Sequence, residues 1–250
     1  MKRQIWENST IRHSSDLVLN GQSPIDEEVE VTFGTAKYYF YWLLYNLRIS
    51  YPKAPIFLAL ADVKACFRFP RIHPDLAGAF GFLISNFFYL AVAMVFGSNT
   101  SSRCWEPFRR AIEGLTVKFA NRPDLVDKHN KYIDIINWEL PGSSSPKPVK
   151  AVKCELNPGV LDPLGNMITH PSRIWVDDTL IAAVGVFQMK MALAAVIEAI
   201  FAVMENPDTT LRQCPLAMDK WEKLVAAEHQ LALGLIIKSR DLTVAITEEY

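Results

Sequence analysis

Two apolar runs of this chain break off at aspartates. In Arg173-Ile174-Trp175-Val176-Asp177-Asp178-Thr179-Leu180-Ile181-Ala182-Ala183, adjacent carboxylates stand between two β-type runs. Successive strand residues point to opposite faces, so vicinal Asp side chains serve one site only where the chain turns. The spacing therefore predicts strand, Asp-Asp turn, strand. The flanks are too apolar for a surface acidic turn, and clustered carboxylates call for bound divalent cations. A second run, Ile56-Phe57-Leu58-Ala59-Leu60-Ala61, reads as a central strand and terminates at Asp62, where a buried charge is costly unless something cationic meets it. Together Asp62, Asp177 and Asp178 would offer hard oxygen ligands suited to Mg²⁺ or Mn²⁺ rather than zinc. Two such ions are a standard device for in-line phosphoryl transfer. The plain alternative is that each Asp merely caps a turn.

The elements that must position these carboxylates are legible in outline. Lys37–Leu47 is a compact aromatic helix candidate that ends near Tyr51-Pro52, after a polar and acidic region over residues 1–34. The uncharged run Ala79–Gly97 raises the question of a membrane span. Ser85-Asn86 interrupts it between aromatic and β-branched residues, which favours a buried β-hairpin. Ser98–Ser102 supplies N-caps for a helix over Arg103–Lys118. Residues 121–171, with the linker-like Pro141–Lys150, read as an insertion or excursion rather than a core element. Thr179–Met204 reads as strand, Gly185 turn and core helix from Gln188; beyond Met218-Asp219-Lys220-Trp221, two β-like runs, Leu231–Ile237 and Leu242–Thr247, flank a Lys238–Asp241 turn. The expected class is α+β, an antiparallel sheet with the 103–118 and 188–204 helices packed on one face.

Composition narrows the field. The chain has 250 residues, 50% hydrophobic and 21% charged, with 26 Lys plus Arg against 27 Asp plus Glu and a net charge of −1. That excludes a disordered chain, a collagen and a coiled coil, and no global basic field advertises nucleic acid. Cys66, Cys104, Cys154 and Cys214 are scattered without zinc or disulfide spacing. The N-terminus lacks the apolar run of a secretory signal, so an intracellular protein is expected, in cytoplasm or nucleus, without stable membrane association.

The order Asp62-Val63-Lys64-Ala65-Cys66-Phe67-Arg68-Phe69-Pro70-Arg71-Ile72-His73-Pro74-Asp75, then Phe96-Gly97-Ser98-Asn99-Thr100-Ser101-Ser102, then Trp175-Val176-Asp177-Asp178, then Leu233-Gly234-Leu235, resembles the motif series of reverse transcriptases, and those of retrotransposons more than of viruses. Motifs in the right order are more specific than any one alone. The likeness spans residues 57–250 as a polymerase palm, with 1–56 as partial fingers and no room for a thumb.

The resemblance implies an RNA-directed DNA polymerase that adds deoxynucleotides to a primer 3′-hydroxyl. Asp62, Asp177 and Asp178, with the Val63 carbonyl, would hold two Mg²⁺ ions, with Mn²⁺ as a substitute. Phe67 would take the place of the aromatic that excludes a ribose 2′-hydroxyl, where a core aromatic is the ordinary reading. Gly97 would lie against the nascent base pair, beside Phe96 where viral enzymes often carry Gln. Lys64 and Arg68 would bring positive charge to the triphosphate. Lys220 falls where the family carries a lysine that protonates the leaving pyrophosphate, with a solvated surface lysine as the alternative. Arg103, Arg109 and Arg110 would give a local basic face for template phosphates. The implied partners are an RNA or DNA template with primer, deoxynucleoside triphosphates, and further domains of a longer polyprotein. The alternative function is an inactive retroelement remnant that only binds nucleic acid.

Overall fold

The computed structural model describes residues 36–75, 81–94, 99–141, 147–148, 172–207 and 213–246. They divide into two units, one within Ala65–Arg109 and a larger one made of residues 36–64 and 110–246. Helices and mostly antiparallel strands give a mixed α+β arrangement, as the sequence predicts.

Helix α1 (Ala36–Ser50) extends the aromatic run, and its Phe40, Leu43, Leu44 and Leu47 share one buried stripe at helical spacing. Its end is fixed by Arg48, whose guanidinium donates to the carbonyls of Tyr51, Pro52, Ala54 and Ser239. These bonds satisfy carbonyls just past the helix and steer the chain into strand β1 (Ile56–Asp62).

In the smaller unit a 3₁₀ turn, Cys66–Arg68, precedes the hairpin β2 (Gly81–Ile84) and β3 (Phe87–Leu90), with Ser85 left-handed at the turn (φ 55°). The hairpin is where Ser85-Asn86 predicts it, but it is not buried. Leu83, Ile84, Phe87, Phe88, Tyr89 and Leu90 are all exposed. Helix α2 (Asn99–Phe119), which belongs to this unit as far as Arg109, starts earlier than expected and absorbs Asn99–Ser102, read as caps. Within this unit Phe69 meets Phe108 edge-on at 5.0 Å and Trp105 stacks on Phe108 at 6.0 Å.

In the larger unit the span expected to loop out opens with ordered, buried structure. Helices α3 (Asp124–Lys128) and α4 (Asn130–Ile133) and strand β4 (Asn137–Trp138) bury Leu125, Tyr132, Ile133, Ile136 and Trp138. Strand β5 (Lys147–Pro148) pairs with β4. Strands β6 (Ser172–Trp175) and β7 (Asp178–Val184) then form the expected hairpin, but its turn is Val176-Asp177 rather than Asp177-Asp178, because Asp178 pairs with Trp175 as the first residue of β7. Helix α5 (Gly185–Met204) follows directly, with Gly185 taking the left-handed φ of 74° that bends strand into helix. It is long and apolar enough to cross a membrane by length and composition. Here it is a core helix, with Met189, Leu193, Val196, Ile197 and Ile200 buried, packed against β7, β1, α3 and α4. Its Glu198 accepts hydrogen bonds from Lys128 and pairs with His129, each at 2.7 Å. Burial pushes the Glu198 carboxyl up, but those two partners outweigh it and hold it below its ordinary range.

The chain continues through α6 (Met218–Trp221) and β8 (Val225–Ala226) to a meander of β9 (His229–Ala232), β10 (Leu235–Lys238) and β11 (Thr243–Ile246). The run read as one strand, Leu231–Ile237, is thus two strands. Leu233 and Gly234 both have positive φ (54° and 74°), which is the two-residue turn whose twist suits a tight hairpin.

The central sheet has the order β1-β7-β6, antiparallel throughout. Ile56 and Leu58 of β1 lie on one face with Leu180, Ala182 and Val184 of β7, covered by α1 and by Ala232 and Ile237 of the meander. That face is thus covered by α1, a helix the expected packing did not place on the sheet. From the alternate positions, Phe57 meets Trp138 edge-on at 5.6 Å.

Candidate functional site

The acidic residues gather at one end of the β1–β7 ladder. Alternating apolar pairs bury the ladder up to Leu60↔Leu180 and Ala61↔Thr179, and the next pair in register is Asp62↔Asp178. The Val63 N–H donates to the Asp177 carbonyl at 3.0 Å, while the Asp62 carbonyl turns away and accepts from Ala217 N–H at 3.1 Å. Asp62 and Asp178 are consequently a non-hydrogen-bonded pair, the closer kind, with side chains on one face and Cβ atoms about 5 Å apart. Asp177 is the second residue of the two-residue β6–β7 turn. The first, Val176, has φ 59°, a conformation that β-branched residues avoid and that is retained chiefly where surroundings impose it.

Like charges opposed across a ladder repel. Burial raises the carboxyl of Asp177, partly offset by backbone N–H groups of Asp177 and Asp178. Burial and the neighbouring Asp177 charge push Asp178 up to about 6. Asp62 is the most enclosed of the three and has a cationic partner, the Lys220 ammonium, which donates to its Oδ2. Lys220 is delivered by α6, a single turn pinned by the buried Trp221, whose indole N–H donates to the Tyr132 carbonyl at 2.7 Å.

Asp62, Val63, Asp177, Asp178 and Lys220 are thus brought together within the larger unit. Lys64 follows them on the chain, its N–H bonded to the Pro215 carbonyl at 2.7 Å and its side chain exposed. Phe67, half-buried, and Arg68, exposed, belong to the 3₁₀ turn of the smaller unit. Phe96 and Gly97 lie outside the described residues. The expected basic face loses a member, because Arg109 is buried and bidentate to Glu106 at 2.7 and 2.8 Å and so is not displayed to phosphates.

Some contributors were not read from sequence. Pro215–Ala217 flanks β1 on the edge opposite β7, through an isolated bridge between Val63 and Leu216, so Asp62 is held from both sides. The proline at 215 is the only local signal that a segment stops there. Glu113 accepts the Ile174 N–H at 2.9 Å and secures the β6 strand of the hairpin. Thr179, next to Asp178, has its hydroxyl buried without a hydrogen-bond partner among the described residues.

The donor chemistry fits hard cations. The acidic side chains at the site are hard oxygen donors, and burial pushes Asp177 and Asp178 toward protonation, aided at Asp178 by the Asp177 charge. A divalent ion would relieve that repulsion, with Asp62 and Asp178 supplying facing oxygens and Asp177 a third. Among the described residues no three such groups are already gathered as a ligand set, and Asp62 is turned onto Lys220.

No protein-family model matches the chain, and no curated protein matches it.

Proposed function

We propose that this chain is a reverse transcriptase domain, a polymerase palm with partial fingers that extends a primer 3′-hydroxyl with deoxynucleotides on an RNA or DNA template. The observation that carries the reading is the register Asp62↔Asp178 beside the Asp177 turn. It brings into one place the acidic residues on which the sequence resemblance rests. The reading implies an intracellular site of action.

When bound, divalent cations would supply the positive charge that favours the attacking hydroxyl and the leaving group of an in-line displacement. Asp62 and Asp178 would hold them from adjoining strands, and Asp177 from the turn. The ladder and the Val63–Asp177 hydrogen bond keep these backbones fixed, so little reorganisation is needed when charge develops. Lys220 lies within reach of the cluster and is the group suited to carry a proton to departing pyrophosphate. Lys64, which follows Val63 in the same unit, would attract the triphosphate.

Primer extension with Mg²⁺ or Mn²⁺, on RNA and on DNA templates, tests this beside Asp177→Asn. Extension should require the metal and fall by at least about a hundredfold in the variant, the scale of losing one preorganised charge-stabilising group. Equal extension by the variant would overturn the assignment. A second reading takes the Lys220–Asp62 pair as purely structural, in a remnant that binds nucleic acid without polymerising. It predicts salt-sensitive binding of primer-template and no incorporation.

A further inference from the structure

We infer that Lys220 is a built-in counter-ion for Asp62 that competes with a divalent cation for this carboxylate, so that cation binding and the position of the Lys220 side chain are coupled. This rests on the metal-site reading above and extends it.

The two partners differ sharply in their surroundings. The Asp62 side chain is 8% exposed and that of Lys220 is 64% exposed. A carboxylate so enclosed is costly without a cation, whereas a lysine so exposed can leave at little cost and take its charge into water. The backbones cannot follow. Ala217 N–H is bonded to the Asp62 carbonyl, Lys64 N–H to the Pro215 carbonyl, and Trp221 is buried one residue beyond Lys220. Only the flexible stem of Lys220 is therefore free to swing. Charge points the same way, since the one ammonium balances Asp62 and leaves Asp177 and Asp178, at the same end of the ladder, without an ion-pair partner among the described residues. A cation that engages Asp62 together with Asp178 supplies that partner for both strands, and its charge beside the Lys220 ammonium repels that ammonium whichever Asp62 oxygen it takes. By linkage, whatever holds Lys220 on Asp62 weakens cation binding by the same factor.

The test is Mn²⁺ binding to the chelator-treated full chain, read from the spin-resonance signal of free Mn²⁺. Lys220→Gln should bind about fivefold more tightly or better, the lower range of such couplings, and Lys220→Arg should stay near wild type. Binding by Lys220→Gln equal to or weaker than wild type overturns the inference and leaves the metal site standing. Binding absent from wild type, or unaffected by Asp178→Asn, overturns the metal-site reading itself and this inference with it. A second measurement needs no altered fold. Mg²⁺ added to the wild type should move the Lys220 Cε resonance toward that of a solvent-exposed lysine, and a resonance that stays put while Mg²⁺ binds overturns the coupling.

Discussion

The β1–β7 ladder has two unlike ends. At one, Ile56↔Val184 and Leu58↔Ala182 are buried under Phe40, Leu44 and Leu47 of α1, and the chain beyond is closed by the Gly185 N–H on the Pro55 carbonyl at 2.9 Å. At the other, Asp62 faces Asp178, a strained valine leads the turn, and the buried Thr179 hydroxyl finds no partner among the described residues. One pair of strands thus carries dense apolar packing and unfavourable polar contacts within a few residues. The apolar end holds the register, and the register forces together carboxylates that would otherwise separate. Sites that bind charged ligands commonly sacrifice local stability in this way.

Substitutions at each end should separate the two roles. The largest effect on stability is expected from Leu58→Ala, which empties space in the core beneath α1 and should cost about 2–5 kcal/mol in urea unfolding. A cost under about 1 kcal/mol would mean that the apolar end does not hold the ladder.

Asp178→Asn should act in the opposite sense. The folded carboxyl titrates near 6, above the ordinary value near 4, so its contribution to stability is fully present below about pH 4 and is lost as pH rises through about 6. In chelator, the variant should therefore melt higher than wild type at pH 7, by an amount on the order of 1 kcal/mol once solvent screening of a partly exposed group is allowed for. The advantage should shrink between pH 6 and pH 4. Parallel melting curves for the two proteins across that window would show that neither burial nor the Asp177 charge raises the Asp178 carboxyl.

The smallest effect belongs to Thr179→Val, which removes a buried hydroxyl without a partner among the described residues and should gain up to about 1 kcal/mol. A loss of stability would reveal that the hydroxyl is bonded after all.

The same contrast explains what could be read beforehand. The β6–β7 hairpin was legible because two apolar runs flank adjacent aspartates, although its turn is Val176-Asp177 and Asp178 already belongs to β7. So was the strand-to-helix passage through Gly185, where β-branched residues give way to Ala, Met and Leu. The hairpin at Ser85-Asn86 was legible for the same local reason, yet its burial was not. Phe87 and Phe88 are as apolar as any residue of α5, and their exposure depends on what packs nearby, which periodicity does not encode. The elements over 124–138 were missed because helices of four or five residues are too short to show a period. Leu231–Ile237 was misread because a leucine in a left-handed turn has no sequence signal beyond the glycine after it. Arg109 did have one, a glutamate three residues earlier on the same helix, which makes a buried ion pair as natural as a basic surface.

Sequence by itself determined that carboxylates end two buried strands, because the apolar runs and their aspartates are local patterns. Tertiary structure decided that Asp62 stands opposite Asp178 and that Lys220 reaches Asp62 and not its neighbours. Those placements join segments remote in the chain, and their register is set by burial of Leu58, Leu180 and Ala182 in a common core, a collective packing condition that no local stretch contains.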